Sequence, residues 1–343
     1  MTKKAMGIGL VSVCICGCVW RPPAPAGCDV VVTDPTRLQE TVAAARQGDV
    51  VYVPKGIYPL ETPLCVSTRV SMLLHKDAVL RAVKPMDYVV KLDMRAQYDR
   101  KLMEKTFSGR DEDYNLFYIG GRIDANGLAS CLYLENYRHF TMRDATFLNG
   151  RTYGLHVGYG YELIANNLYF KCVMPGLSGN TALYQPHGDS HFTDCVAVDY
   201  TIGVHAKGGA NRFTRCHVWG GPIAEMLKGS VNFLIEAPNT FSCCYADTGE
   251  TGFLVRTHPV DSTCLLSCYY FANNIFKLDH VTCIRHETGN LLVADSMFCK
   301  TSPNTKVYEG VKGCGKVVWR DCIYPWKWEP GDELPGDCMA EDR

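Results

Sequence analysis

The stretch His191–Ala197, HFTDCVA, comes back as RFTRCHV at 212–218 and as TFSCCYA at 240–246. Each copy sets an aromatic residue, a hydroxyl residue, a turn residue and a cysteine in the same order. Cys195, Cys216, Cys244 and Cys268 follow one another at spacings of 21, 28 and 24 residues. A period of roughly 20–50 residues is the mark of stacked supersecondary units, none of which can bury its apolar face alone. The same pattern runs through FTMRDATF (140–147), LLSCYY (265–270), LLVADSMF (291–298) and VVWRDCIY (317–324), with Asp144, Asp194, Asp295 and Asp321 at the turn.

A unit of 21 to 28 residues is shorter than the roughly 30 residues or more of a strand–helix–strand unit and fits one three-sided coil of parallel strands. The expected fold is therefore all-β: a single-stranded right-handed parallel β-helix, a solenoid, over residues 28–330, with a polar tail at 331–343. In each unit the cysteine alternates with an outward neighbour, so Cys195, Cys216, Cys244, Cys268 and Cys322 read as a ladder of small buried hydrophobes. Parallel side chains stacked in register seldom meet the torsion that a disulfide requires. Cys28 with Cys65, and Cys314 with Cys338, lie outside the ladder and stay open as disulfide pairs. No CxxC pair recurs at ligand spacing, so no zinc site, no other metal and no cofactor are expected.

The segment DPTRLQETVAAARQ (34–47) reads as a short amphipathic helix with Asp34 as N-cap, Pro35 in the first turn and Leu38, Val42 and Ala45 on one face. It leads into GDVVYVPKGIYPL (48–60), a strand, a turn and a second strand. Together with GGRIDANG at 120–127, these segments resemble pectin-lyase-like right-handed parallel β-helix proteins, the superfamily of polygalacturonases and pectate lyases. The resemblance covers nearly all of residues 30–325 and implies a capping helix at the open end of the stack. Of the polygalacturonase motifs only fragments stand here: Gly203-Val204-His205 in place of Gly-His-Gly, and Val255-Arg256-Thr257-His258 where Arg-Ile-Lys would be. The paired aspartates are missing, since HGDSH supplies only Asp189. Asp124 in the GGRIDANG turn reads as structural.

A β-helix fills its interior with side chains, so its chemistry must use outward residues aligned in columns over successive coils. If Leu132, Leu155, Val204, Phe253 and Phe276 face in, then Tyr133, Glu135, His156, Tyr184, His205, Lys207, Arg256, Lys277 and Asp279 face out, joined by Glu236. A solvated face would carry Thr, Ser, Asn and Lys. The concentration of His156, His187, His205 and His258 with Tyr184, Lys207 and Arg256 suits proton transfer and the binding of hydroxylated or carboxylated rings. His205, Lys207, Arg256 and Asp247 are the expected catalytic residues. His156, Tyr184, His187, Trp219, Glu236, His258, Lys277 and Asp279 are the expected substrate contacts, with Trp219 and Asp247 placed beside the same groove. Asp199 is a second carboxylate considered for acid or base work, and GPIAEMLKGS (221–230) a loop over the groove carrying Glu225 and Lys228. The charged stretch 95–115 reads as a protruding insertion.

These residues point to an exported carbohydrate-active enzyme that cleaves a polysaccharide, uronate-containing or neutral, by hydrolysis or β-elimination. The rival from another class is a non-catalytic glycan-binding or adhesion module. A net charge of −1, from 35 basic and 36 acidic residues, supplies no field for nucleic acid or an anionic membrane. The N-terminus, MTKK followed by a short apolar run, reads as an export signal over 1–17. Ile15-Cys16-Gly17-Cys18 resembles the lipobox of bacterial lipoproteins, with Cys18 the lipidated residue and 18–27 a Pro-rich tether. A plain cleaved signal and an uncleaved anchor remain alternatives. The expected location is the cell envelope, with the membrane reached only through the lipid anchor, or the medium.

Overall fold

The computed structural model describes residues 25–93, 116–174, 176–220, 228–272, 280–300 and 305–323. One coil shows the plan. The chain runs through His191–Thr193 in a first sheet, Val196–Val198 in a second and Ile202–Ala206 in a third, then re-enters the first at Arg212–Thr214. Each strand pairs in parallel with its counterpart one coil on, giving, among the described residues, one sheet of 12 strands, two of 10 and a small one of 2. The expected all-β parallel solenoid is what forms.

Register holds the repeat in place. Phe192 pairs with Phe213 and Phe213 with Phe241; Ala197 pairs with Val218 and Val218 with Ala246; Val204 pairs with Phe233 and Phe233 with Phe253. All of these side chains are buried. The first-sheet phenylalanines stack, with centroids 5.0 Å apart for Phe192–Phe213 and 4.7 Å for Phe213–Phe241. Parallel strands about 4.8 Å apart bring identical residues to that spacing.

The corner between first and second sheets is a single left-handed residue. Asp144, Asp194, Asp295 and Asp321 take it with φ of 57°, 55°, 51° and 49°, as the turn reading requires. Aspartate tolerates this region because its short side chain bonds locally. Arg215, Cys243 and Ser267 hold the same position with φ of 52°, 53° and 51°, against their preference. The following cysteine turns inward. The thiols of Cys216, Cys244, Cys268 and Cys322 donate to the carbonyls of Phe192, Phe213, Phe241 and Val293 in the coil before, at 3.6, 3.3, 3.4 and 3.7 Å. Cys195, Cys216, Cys244 and Cys268 are buried, while Cys322 at the last coil is partly exposed. Cys28, Cys65 and Cys314 are free thiols too, so Cys28 and Cys65 form no disulfide; Cys338 lies outside the described residues.

The N-terminal helix comprises a 3-10 turn at Pro35–Arg37, capped by Asp34 onto the Thr36 amide, and an α-helix at Leu38–Ala44. Leu38 and Val42 are buried. Gln39 takes up the backbone of Cys65 in the terminal strand of the third sheet, donating to its carbonyl at 3.1 Å and accepting from its amide at 2.8 Å. A side-chain amide thus occupies strand-edge groups that would otherwise recruit another chain.

The corner leaving the third sheet is set by buried polar residues. Asn211 and Asn239 both donate to the Gly208 carbonyl, at 2.8 and 2.9 Å, and the Asn211 amide donates to Asn239 Oδ1 at 2.9 Å. Gly208 is obligatory there, because a Cβ would stand 2.1 Å from the His187 carbonyl oxygen. This corner anchors Lys207 at its strand end.

Two stability measurements follow. Cys243→Asn, which relieves a left-handed cysteine at an exposed corner, raises unfolding free energy by about 1 kcal/mol in urea. Phe213→Ala, which opens the phenylalanine ladder, lowers it by about 3–5 kcal/mol. Equal or reversed shifts would contradict this account of the coil.

Candidate functional site

The outward row of the third sheet can be read directly from its pairing: Lys91, Tyr133, His156, Tyr184, His205, Leu234, Leu254 and Arg285 stand in register over eight coils. Its middle is an aromatic strip. Ring centroids lie 4.9 Å apart for Tyr133–His156, 5.0 Å for His156–Tyr184 and 4.9 Å for Tyr184–His205. Two further tyrosines join from the corner that leads into this sheet: Tyr88 stacks on Tyr133 at 5.2 Å and Tyr153 on Tyr184 at 5.1 Å. Tyr88–Tyr133 and Tyr153–Tyr184 stack, whereas the His156 and His205 rings meet Tyr133 and Tyr184 tilted by 49° to 60°.

His156 sits at the centre of this strip. Its Nδ1 lies 2.7 Å from the Tyr88 hydroxyl. Burial pulls the imidazole down to about 4, against an upward pull from Glu135 and with a small further push from His187. Burial likewise pushes the Tyr88 phenol up to about 12. Tyr133 is raised by burial and by the hydrogen bond it gives Glu135. The pair is therefore a neutral imidazole and a neutral phenol at pH 7. Beside it the Tyr133 ring packs onto Gly158, where a Cβ would come within 2.9 Å of the ring and 3.1 Å of the Leu134 carbonyl oxygen.

Two coils further along, the strip ends in charge. His205 Nε2 is 2.7 Å from Glu236 Oε2, and Arg256 donates to the other oxygen of Glu236 through Nε at 2.8 Å and Nη2 at 2.7 Å. Burial raises Glu236, but the bonds from His205 and Arg256 outweigh it and hold the carboxyl below its usual range. Burial also dominates at His205, which stays below the ordinary histidine value despite Glu236. The contact is then a neutral Nε2–H donating to a carboxylate whose charge Arg256 balances, and Nδ1 is left as an acceptor. Lys207, Glu236 and Arg256 stand one residue beyond Ala206, Ile235 and Val255, which are in register, so the flank reads cation, anion, cation. Lys207 is exposed.

The expected residues thus divide. His156, Tyr184, His205, Lys207, Glu236 and Arg256 share the third-sheet face. His187 lies at its edge, 5.4 Å from Tyr159 ring to ring. His258 is exposed beyond the strand end at Arg256. Trp219 and Asp247 pair with each other on the second sheet, not beside the His205 groove, because the chain turns a corner between Asp247 and Thr251. There burial raises the Asp247 carboxyl, which accepts from the Tyr245 hydroxyl at 3.1 Å. Asp199 is buried at the same corner two coils earlier. Asp124 is held by Arg81 at 3.0 Å and caps Asn126, a structural role. Glu225, Lys277, Asp279 and Cys18 lie outside the described residues.

Alternation missed Tyr88 and Tyr153. Each stands two residues before an inward residue, Val90 or Leu155, and so counts as inward, but the corner turns both onto the outer face. Tyr133 and Glu135 were legible as outward but carried no signal of their contact with His156. Among the described residues no group of three or more His, Cys, Asp and Glu is disposed to hold a metal ion.

The chain thus has a parallel β-helix fold. It is similar to the ORF18 protein of Geobacillus virus E2, with a TM-score of 0.58 and 11% identity over 83% of this chain and 58% of that one. It therefore spans less than two thirds of the viral protein. The endo-xylogalacturonan hydrolase of Aspergillus tubingensis matches at a TM-score of 0.47 and 8% identity, over 85% of this chain and 93% of that one. The alginate lyase of Paenibacillus sp. matches at 0.44 and 11%, over 86% and 95%. Neither a family model nor a curated relative matches the sequence.

Histidine titration by NMR checks the electrostatics. His156 stays neutral until about pH 4, and Glu236→Gln, which removes an upward pull, lowers the His205 midpoint further. The sign for stability follows: an unfolded chain binds a proton at His156 near the ordinary value of about 6.5, the folded chain only near 4, so acid favours unfolding between those values. Stability is full above the higher value and declines as pH falls toward 4, and His156→Gln flattens that decline.

Proposed function

We propose that the outer face of the third sheet binds a uronate-containing polysaccharide and cleaves it by β-elimination. The observation that carries this reading is a strip of neutral phenols and imidazoles, Tyr88 to His205, that runs directly into the cations Lys207 and Arg256. Elimination requires removal of the proton α to the uronate carboxylate, protonation of the leaving oxygen and a cation to neutralise the carboxylate. The neutral imidazoles and phenols of the strip can serve the first two needs at pH 7. Lys207 serves the third, since Arg256 is engaged by Glu236. Hydrolysis would need a carboxyl kept protonated opposite a second carboxylate. On this face Glu236 is held in the opposite state, and Asp247, whose carboxyl burial raises, belongs to the second sheet.

Named solved structures of similar fold include a hydrolase, a lyase, a phage capsular depolymerase and a pneumococcal surface adhesin. The adhesin-like alternative, binding without turnover, is favoured by the saturation of Glu236. The two readings separate in one assay. Purified protein incubated with polyuronates and neutral glycans yields unsaturated uronate ends, detected by ultraviolet absorbance, from polyuronates alone. Lys207→Ala raises KM on those substrates by about tenfold or more, the scale of one charge-assisted hydrogen bond. Glycan retention with no new ends would establish the binding module.

We further propose, from the N-terminal segment alone, that Cys18 anchors the protein in the cell envelope, release into the medium being the alternative. Cys18→Ser then moves it from the membrane fraction to the soluble fraction of cells that express it. Unchanged fractionation would remove the anchor.

A further inference from the structure

One close pair on the third-sheet face is one that the sequence did not associate, Tyr88 with His156. They belong to coils two apart and are 68 residues apart in the chain, yet Nδ1 and the phenol oxygen meet at 2.7 Å. Among the described residues no other group bonds to His156, and Nε2 has no hydrogen-bond partner. Tyr88, Tyr133, Tyr153 and Tyr184 surround the ring, with centroids 4.8 to 6.0 Å away. The charged or titratable groups facing it are Glu135 and His187, the former raising and the latter lowering its proton affinity. Next to the pair, Gly158 packs against the Tyr133 ring, where a Cβ would come within 2.9 Å, so the absence of a side chain there lets that ring lie beside the imidazole.

We propose that Tyr88 and His156 are the catalytic acid–base pair of the site, Tyr88 protonating the leaving glycosidic oxygen and His156 Nε2 removing the proton α to the uronate carboxylate. This inference rests on the β-elimination reading and names the groups that carry it out. In the competent tautomer Nδ1–H donates to the Tyr88 oxygen, leaving the Nε2 lone pair and the phenol proton both available. Nε2 takes the proton from C5, the C–H pair forms the C4–C5 double bond, the C4–O4 bond breaks, and Tyr88 gives its proton to O4. The tyrosinate then recovers a proton from Nδ1 of the imidazolium. Both residues finish neutral, His156 in the other tautomer, and one proton has moved from carbon to oxygen without any co-reactant. Phenol and imidazole exchange the charge internally, so a half-buried site need not hold an isolated ion.

The test compares wild type, Tyr88→Phe and His156→Gln on the polyuronate that wild type cleaves. A proton donor and a base each contribute about 10²–10⁴ in rate, so kcat falls by about 100-fold or more in each variant while KM stays within about threefold. Histidine NMR on Tyr88→Phe supplies a second readout: the His156 resonances move and those of His205 do not, which also shows that the variant is folded. A Tyr88→Phe enzyme within about threefold of wild-type kcat overturns the assignment while leaving the elimination reading in place. Failure of wild type to release unsaturated ends from any polyuronate overturns both.

Discussion

Every side chain of consequence here is placed by one constraint, the parallel hydrogen bonding of each coil to the next. That ladder fixes the axial rise at about 4.8 Å and allows no slip, because a one-residue shift would turn the buried Phe192, Phe213 and Phe241 out to solvent. The left-handed corner at Asp194 and its equivalents then sets where each coil bends. Once rise and bend are given, residues far apart in the chain become neighbours at the spacing of stacked rings. The aromatic strip of the third sheet and the phenylalanine ladder of the first are the outer and inner consequences of the same geometry.

The cysteines show how the position after the corner is filled. A thiol is small, apolar and still able to donate to the carbonyl of the coil before it. Ser296 stands at the same position after Asp295, buried, with its hydroxyl donating to the Ala294 carbonyl at 2.9 Å and accepting from the Cys268 amide at 3.0 Å. Eighteen cysteines in the chain therefore do not argue for a crosslinked protein.

The electrostatics of the third sheet follow from partial burial. Half-covered imidazoles lose their charge, so His156 and His205 are neutral where exposed histidines would be partly protonated. The real charges are pushed to the flank, where Glu236 is paired with Arg256 and Lys207 faces solvent. A neutral reactive strip beside a cationic flank suits a polyanionic chain whose reacting carbon must lose a proton.

The sequence by itself determined the repeat, the coil length, the inward cysteines and aromatics, and the outward rank of His156, Tyr184 and His205, because alternation within a strand is a local property of the backbone. It could not place residues at the corners, where alternation ends: Tyr88 and Tyr153 counted as inward and turned out, while Trp219 and Asp247 counted as neighbours of the groove and went to another sheet. Nor could it reveal that Glu236 belongs to both His205 and Arg256. Those assignments depend on how many coils separate two residues and on which side of a bend each one falls, and only the stacked tertiary structure decides that.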